Sequence, residues 1–128
     1  MDNMEQIKTG LSHECNEIVT KEKCASYIGS GLLDVYSTPS MIALMEKTSF
    51  LCINSNLTKD ESSVGGALNI RHLRATAVGK SVFCRSTVSE VRGKKIVFEV
   101  EVFEGDNLIG KGSHVRFIID KKAFMEML

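Results

Sequence analysis

One segment constrains the fold more than any other. From Ser40 to about Asn54 the chain is helix-compatible and apolar on more than one side, with Met41, Ile42, Ala43, Leu44, Met45, Phe50, Leu51, Cys52 and Ile53. A helix of that kind is not served by resting one stripe on a surface; it asks for cover on several sides. Its start is marked by Ser37-Thr38-Pro39, a hydroxyl residue at the cap and a proline where a missing N–H costs nothing. Thr38 is the expected capping residue.

The rest of the chain supplies the cover. Residues 12–27 read as an N-terminal strand with Ile18 and Val19, broken by Gly29-Ser30-Gly31 before Leu32-Leu33-Asp34-Val35-Tyr36. After a polar connection at 57–63, four strands are predicted near 64–75, 81–92, 95–104 and 107–119. They are separated by Gly79-Lys80, Arg92-Gly93-Lys94 and Glu104-Gly105-Asp106-Asn107 and read as a meander. Ile96, Phe98, Val100 and Val102 alternate with Glu99 and Glu101. In the last strand Val115, Phe117 and Ile119 are expected on the buried face, and His114 and Arg116 on the wet one. Lys121–Leu128 is expected to add a helical turn. The order strand, helix, four strands predicts an α+β chain in which an antiparallel sheet wraps a long central helix, the hotdog arrangement. The 128 residues fit one domain, 1–128, with its core at about 15–120.

Lys+Arg and Asp+Glu are both 16, so a basic footprint for nucleic acid is absent and self-association is favoured. Cys15, Cys24, Cys52 and Cys84 form no CxxC pair, and the three histidines share no short spacing, so no metal site and no cofactor are expected. The polar start lacks the apolar core of a signal peptide, and no run reaches the ~20 apolar residues of a membrane span. A cytoplasmic protein with reduced thiols is the expectation.

Against that background a few residues stand out. Glu46 interrupts the apolar helix on one stripe with Ile42, Phe50 and Ile53. A desolvated carboxylate suits a general base or nucleophile; a wet face, or pairing with Lys47 or another cation, explains it equally well. His72 falls by alternation on the apolar face of Leu68 and Ile70, as an orienting or proton-carrying group or as a satisfied core histidine. Thr38 joins capping to the free N–H groups of a helix start. Gly65-Gly66 allows backbone to approach a ligand closely, as an oxyanion hole requires, and equally suits a bulge. His13 lies in the polar N-terminal stretch, and His114, on the polar strand face with Arg116, is expected to be exposed or at a subunit contact.

Thr38-Pro39, Glu46 eight residues after the threonine, Gly65, and His72 seven residues after the glycine share the chain with the closing Gly110–Arg116 strand. This set resembles the fluoroacetyl-CoA thioesterase-like group of hotdog proteins over roughly residues 15–120. The resemblance implies acyl-CoA thioester hydrolysis, with Thr38, Glu46 and His72 as the catalytic set and Gly65 beside the thioester. Fluoroacetyl selectivity in that group is associated with aromatic residues over the acyl pocket. The corresponding stretch Gly29–Leu33 has none, so a short or medium acyl-CoA is the expected substrate.

Glu46 would attack directly or deprotonate water, His72 would orient it and move the proton, and Thr38 with the backbone near Gly65 and Gly66 would polarise the carbonyl. Arg71, Arg74 and Lys80 are candidates for the phosphates of CoA, and solvated strand-edge charges explain them equally well. Thr38 and Glu46 would stand about 12 Å apart along a continuous helix, so either the helix starts later than Thr38 or one of the two residues reaches the carbonyl from a partner chain. A homodimer with the site at its interface is expected. A hydratase or dehydratase acting on acyl thioesters, and a non-catalytic acyl-CoA-binding module, are the alternatives.

Overall fold

The computed structural model describes residues 4–128; the polar start at Met1–Asn3, read above as part of a leaderless N-terminus, lies outside them. Strand β1 covers Ser12–Ile18 and ends earlier than predicted: a 3-10 turn at Lys21–Lys23 and a short helix α1, Ala25–Ile28, replace its second half. The long helix α2 spans Thr38–Asn54, and strands β2 (Glu61–His72), β3 (Ser81–Arg92), β4 (Lys95–Glu104) and β5 (Asn107–Asp120) follow, with α3 at Lys121–Glu126. Among the described residues no helix is long and apolar enough to cross a membrane.

All five strands join one antiparallel sheet in the order β1-β3-β4-β5-β2. Three consecutive strands, β3 to β5, do form a meander, and their turns pass through Gly93 and Gly105 at positive φ, which a side chain would strain. The fourth does not join it as expected. β2 lies beside β5 rather than β3, so it is one of the sheet's two outer strands and, among the described residues, keeps one edge unpaired.

α2 lies across the sheet, and its burial corrects the expectation of an all-round apolar helix. The buried positions Met41, Leu44, Met45, Thr48, Ser49, Cys52 and Ile53 form a single stripe at helical spacing. Two of its members are polar, and Thr48 and Ser49 are satisfied by donating to the carbonyls of Leu44 and Met45. Apolar Ile42 and Phe50 flank the stripe half-buried, while Ala43 is exposed. The mismatch arises because hydroxyl groups that bond back to their own helix sit on a core face at little cost.

The cap also differs. Ser37, not Thr38, closes the helix start, its side chain accepting from the Ser40 N–H. Thr38 is the first helical residue, and its hydroxyl is free for other work.

The last strand is inverted relative to prediction. His114 is fully buried, Arg116 is 7% exposed and Ile118 is buried, all turned toward α2, whereas Phe117 is 41% exposed. The pairing of β5 with β4 enforces this. Phe98 stands opposite His114 and Ile96 opposite Arg116, and residues facing each other across an antiparallel pair share a side.

Candidate active site

β2 carries a β-bulge at Gly66, between the pairs Gly65–Arg116 and Ala67–Val115. Seven residues separate Gly65 from His72, an odd spacing that would turn them to opposite faces of a regular strand. The extra residue at the bulge resets the alternation. Ser63 and Gly65 before it, and Leu68, Ile70 and His72 after it, therefore all face the helix side with Ile118, Arg116, His114, Gly112 and Gly110 opposite. Gly66 itself sits over the Phe117 ring, where a Cβ would collide.

Two pairs of candidate residues result. At the start of α2, Thr38 Oγ1 and His72 Nδ1 are hydrogen-bonded at 2.7 Å. His72 Nε2 is buried and has no hydrogen-bond partner among the described residues. Burial holds this imidazole below its ordinary pKa, with the backbone at Arg74 acting in the opposite direction. The neutral form, able to accept a proton, is thereby favoured.

Two turns further along the helix, Glu46 meets Gly65. A Cβ at Gly65 would stand 2.7 Å from Glu46 Oε2 and 3.4 Å from the His114 ring, so only glycine admits the carboxylate this close to β2. The side chain of Glu46 is 42% exposed, less desolvated than its apolar neighbours suggest. Its cation is not Lys47 but Arg116, whose Nη1 lies 3.7 Å from Oε2. No hydrogen bond or ion pair joins the Glu46 pair to the His72 pair among the described residues, and about 12 Å of helix rise separates Thr38 from Glu46.

Behind Glu46 is a network that the sequence did not reveal. Arg116 Nε donates to Ser63 Oγ at 2.8 Å and Nη2 to the Ser63 carbonyl at 2.9 Å, while Nη1 lies 3.2 Å from His114 Nε2. The guanidinium also lies over the Phe50 ring. His114 Nδ1 is 2.9 Å from the Ala67 carbonyl. The signal that would have found them is the period-two run Gly110, Gly112, His114, Arg116, Ile118, whose last member is apolar.

The proposed CoA contacts are divided. Arg71 faces away from α2 into an open groove of about 620 Å³ on the outer face of the sheet, lined also by Asn69, Glu99, Glu101, Lys111 and Ser113. Arg74 lies beyond the end of β2 and donates to Asn107.

Replacing Gly65 by alanine tests the close approach. The colliding atom is the tip of a flexible side chain, so the fold should survive with its Tm nearly unchanged. On a catalytic role for Glu46, the displaced carboxylate should cost about 100-fold in turnover, the scale of a misplacement of about 1 Å. Parental turnover in the folded variant would show that the position of the carboxylate is unimportant.

An antiparallel sheet of this order laid around one long helix is the hotdog fold of the thioesterase superfamily. The family model described as FlK, fluoroacetyl-CoA-specific thioesterase, matches residues 19–122, and the chain belongs to that family. The fluoroacetyl-CoA thioesterase of Streptantibioticus cattleyicolor is 30% identical over 91 residues, a stretch spanning 71% of this chain and 66% of that protein. Solved structures show the same fold. The fluoroacetyl-CoA thioesterase FlK superposes with a TM-score of 0.89 at 24% identity, covering 94% of both chains. A Thermus thermophilus protein of the thioesterase superfamily gives 0.87 at 25% identity, covering 94% of this chain and 90% of its own.

Proposed function

We propose that this chain is an acyl-CoA thioesterase that releases a short or medium acyl group as the free acid, and that it does so as a homodimer with the site shared between subunits. The observation that carries the reading is the division of the candidate residues into two half-sites, Glu46 with Gly65 and Thr38 with His72, placed near opposite ends of an edge strand. Family membership supplies the chemistry, and a related structure of FlK holds fluoroacetate and CoA.

The free edge of β2 supplies the means of joining the halves. Residues 65–69 are exposed, and Leu68 is 40% exposed although it faces the helix side. An unpaired strand edge is a template for a second strand. Antiparallel self-pairing about a twofold axis near Asn69 sets Leu68 against Ile70 of the partner subunit and Ala67 against Arg71 of the partner subunit. With the bulge absorbing one residue, Gly65 then meets His72 of the partner subunit. Every such pair shares a face, a match that fails without the bulge.

In that assembly Glu46 of one subunit faces the Thr38–His72 pair of the other. Glu46 either attacks the thioester carbonyl, expelling CoA thiolate and leaving an anhydride that water then hydrolyses, or takes a proton from the water that attacks and expels CoA directly. His72 moves the proton to the departing thiolate, and the Thr38 hydroxyl with the backbone at Gly65–Gly66 steadies the oxyanion. Arg74, just beyond the end of β2, is the cation close to His72 for the phosphates of CoA, whereas Arg71 could meet them only from the outer face of the sheet. The stretch Gly29–Leu33 carries exposed Leu32 and Leu33 and no aromatic ring, with Tyr27 before it and the buried Tyr36 after it, which supports a non-fluorinated acyl group. Four free thiols fit a cytoplasmic location.

Incubation with a panel of acyl-CoAs and a thiol reagent tests the assignment. Release of free CoA with the matching acid is the expected result. A change in acyl-chain unsaturation with the C–S bond intact would instead indicate a hydratase or dehydratase, and binding without turnover would indicate a non-catalytic acyl-CoA-binding module; either overturns the proposal.

A further inference from the structure

A fully buried imidazole and an almost fully buried guanidinium lie side by side behind Glu46, an arrangement the catalytic assignment does not use. Burying such groups is costly unless their bonding capacity is met, and here the bonding also defines a direction. The Ala67 carbonyl can only accept, so the proton of His114 sits on Nδ1 and donates to it. Nε2 is then left with a lone pair, which accepts from Arg116 Nη1 at 3.2 Å. Burial, reinforced by the Arg116 charge, holds the imidazole below its ordinary pKa despite the Ala67 bond and Glu46, so it stays neutral. The Phe98 ring closes the remaining side, its centroid 6.2 Å from that of His114.

Arg116 is thus fixed at three points: Ser63 Oγ, the Ser63 carbonyl and His114. The same Nη1 that meets His114 is the atom nearest Glu46, at 3.7 Å. We infer that His114 is a positioning residue that sets the rotation of Arg116 and, through it, the placement of the Glu46 carboxylate beside Gly65. The inference rests on Glu46 acting in thioester hydrolysis. Tied to Ser63 alone, the guanidinium would have one end free to close on the carboxylate, drawing Glu46 away from the acyl carbonyl. The tie to His114 keeps that cation at ion-pair range and leaves the carboxylate oxygens free to react.

Two substitutions separate positioning from packing. His114→Leu keeps the volume and removes the acceptor. Its folded fraction should lose about 10-fold or more in kcat with KM little changed, as misplacement of a reacting group does. His114→Gln restores an acceptor near the position of Nε2 and should recover most of the loss even where Tm falls as far as in the leucine variant. Activities that follow Tm in both variants, with no rescue by glutamine, would reduce His114 to a packing residue. Glu46→Gln assayed alongside distinguishes the two failures. An inactive Glu46→Gln with a fully active His114→Leu sinks only the positioning role, whereas an active Glu46→Gln removes the catalytic reading beneath it.

Discussion

Glu46→Gln should lower kcat for acyl-CoA hydrolysis by about 1,000-fold, the mid-range loss for removing a positioned base or nucleophile. Glutamine has the length and shape of the native side chain, so it fits the space that Gly65 leaves open. What it removes is the charge and the basic oxygen pair. Arg116 loses its counter-charge at 3.7 Å but keeps both bonds to Ser63 and the one to His114, so the guanidinium remains anchored. Glu46 is 42% exposed, and a partly solvated ion pair contributes only up to about 1 kcal/mol to stability. Tm should therefore stay close to the parental value while turnover collapses. The measurement is steady-state release of CoA alongside a thermal melt, and a folded variant turning over at half the parental rate would remove Glu46 from the mechanism.

The elements of this fold were legible in the sequence wherever local rules decide. β3 and β4 end where the turn glycines place them, and the Ser-Thr-Pro signature located the start of α2 to within a residue. Non-local decisions were not legible. Nothing in residues 61–72 says that their partner is β5 rather than β3, because pairing is settled by the sheet as a whole. Alternation in β5 showed which residues share a side but not which side is inward, and hydrophobicity chose wrongly. Two polar side chains that satisfy each other and a serine across the strand fit the core as well as valine and phenylalanine would. Glu46, His72, Thr38 and Gly65 could be singled out as residues, yet their grouping depends on the bulge at Gly66. Gly65-Gly66 suggested a bulge without revealing that it turns Gly65 and His72 to one face.

That grouping leads to an experiment in which two inactive proteins yield an active one. If each site takes Glu46 from one subunit and Thr38 and His72 from the other, Glu46→Gln and His72→Ala homodimers should both be nearly inactive. A mixed dimer carries one site in which both residues are native, Glu46 from the His72→Ala chain and His72 from the Glu46→Gln chain; its other site lacks both. Statistical exchange at equal amounts makes half the dimers mixed, each with one good site of two, so activity should rise to about a quarter of the parental value per chain. Unfolding and refolding the mixture together, or co-expressing differently tagged chains and purifying the mixed species, provides the exchange. Because α2 is continuous and holds Thr38 and Glu46 about 12 Å apart, a single chain has no local route to the same assembly. A mixed dimer as inactive as its parents, verified as mixed by its two tags, would place every catalytic group within one chain and require a different path from Glu46 to His72.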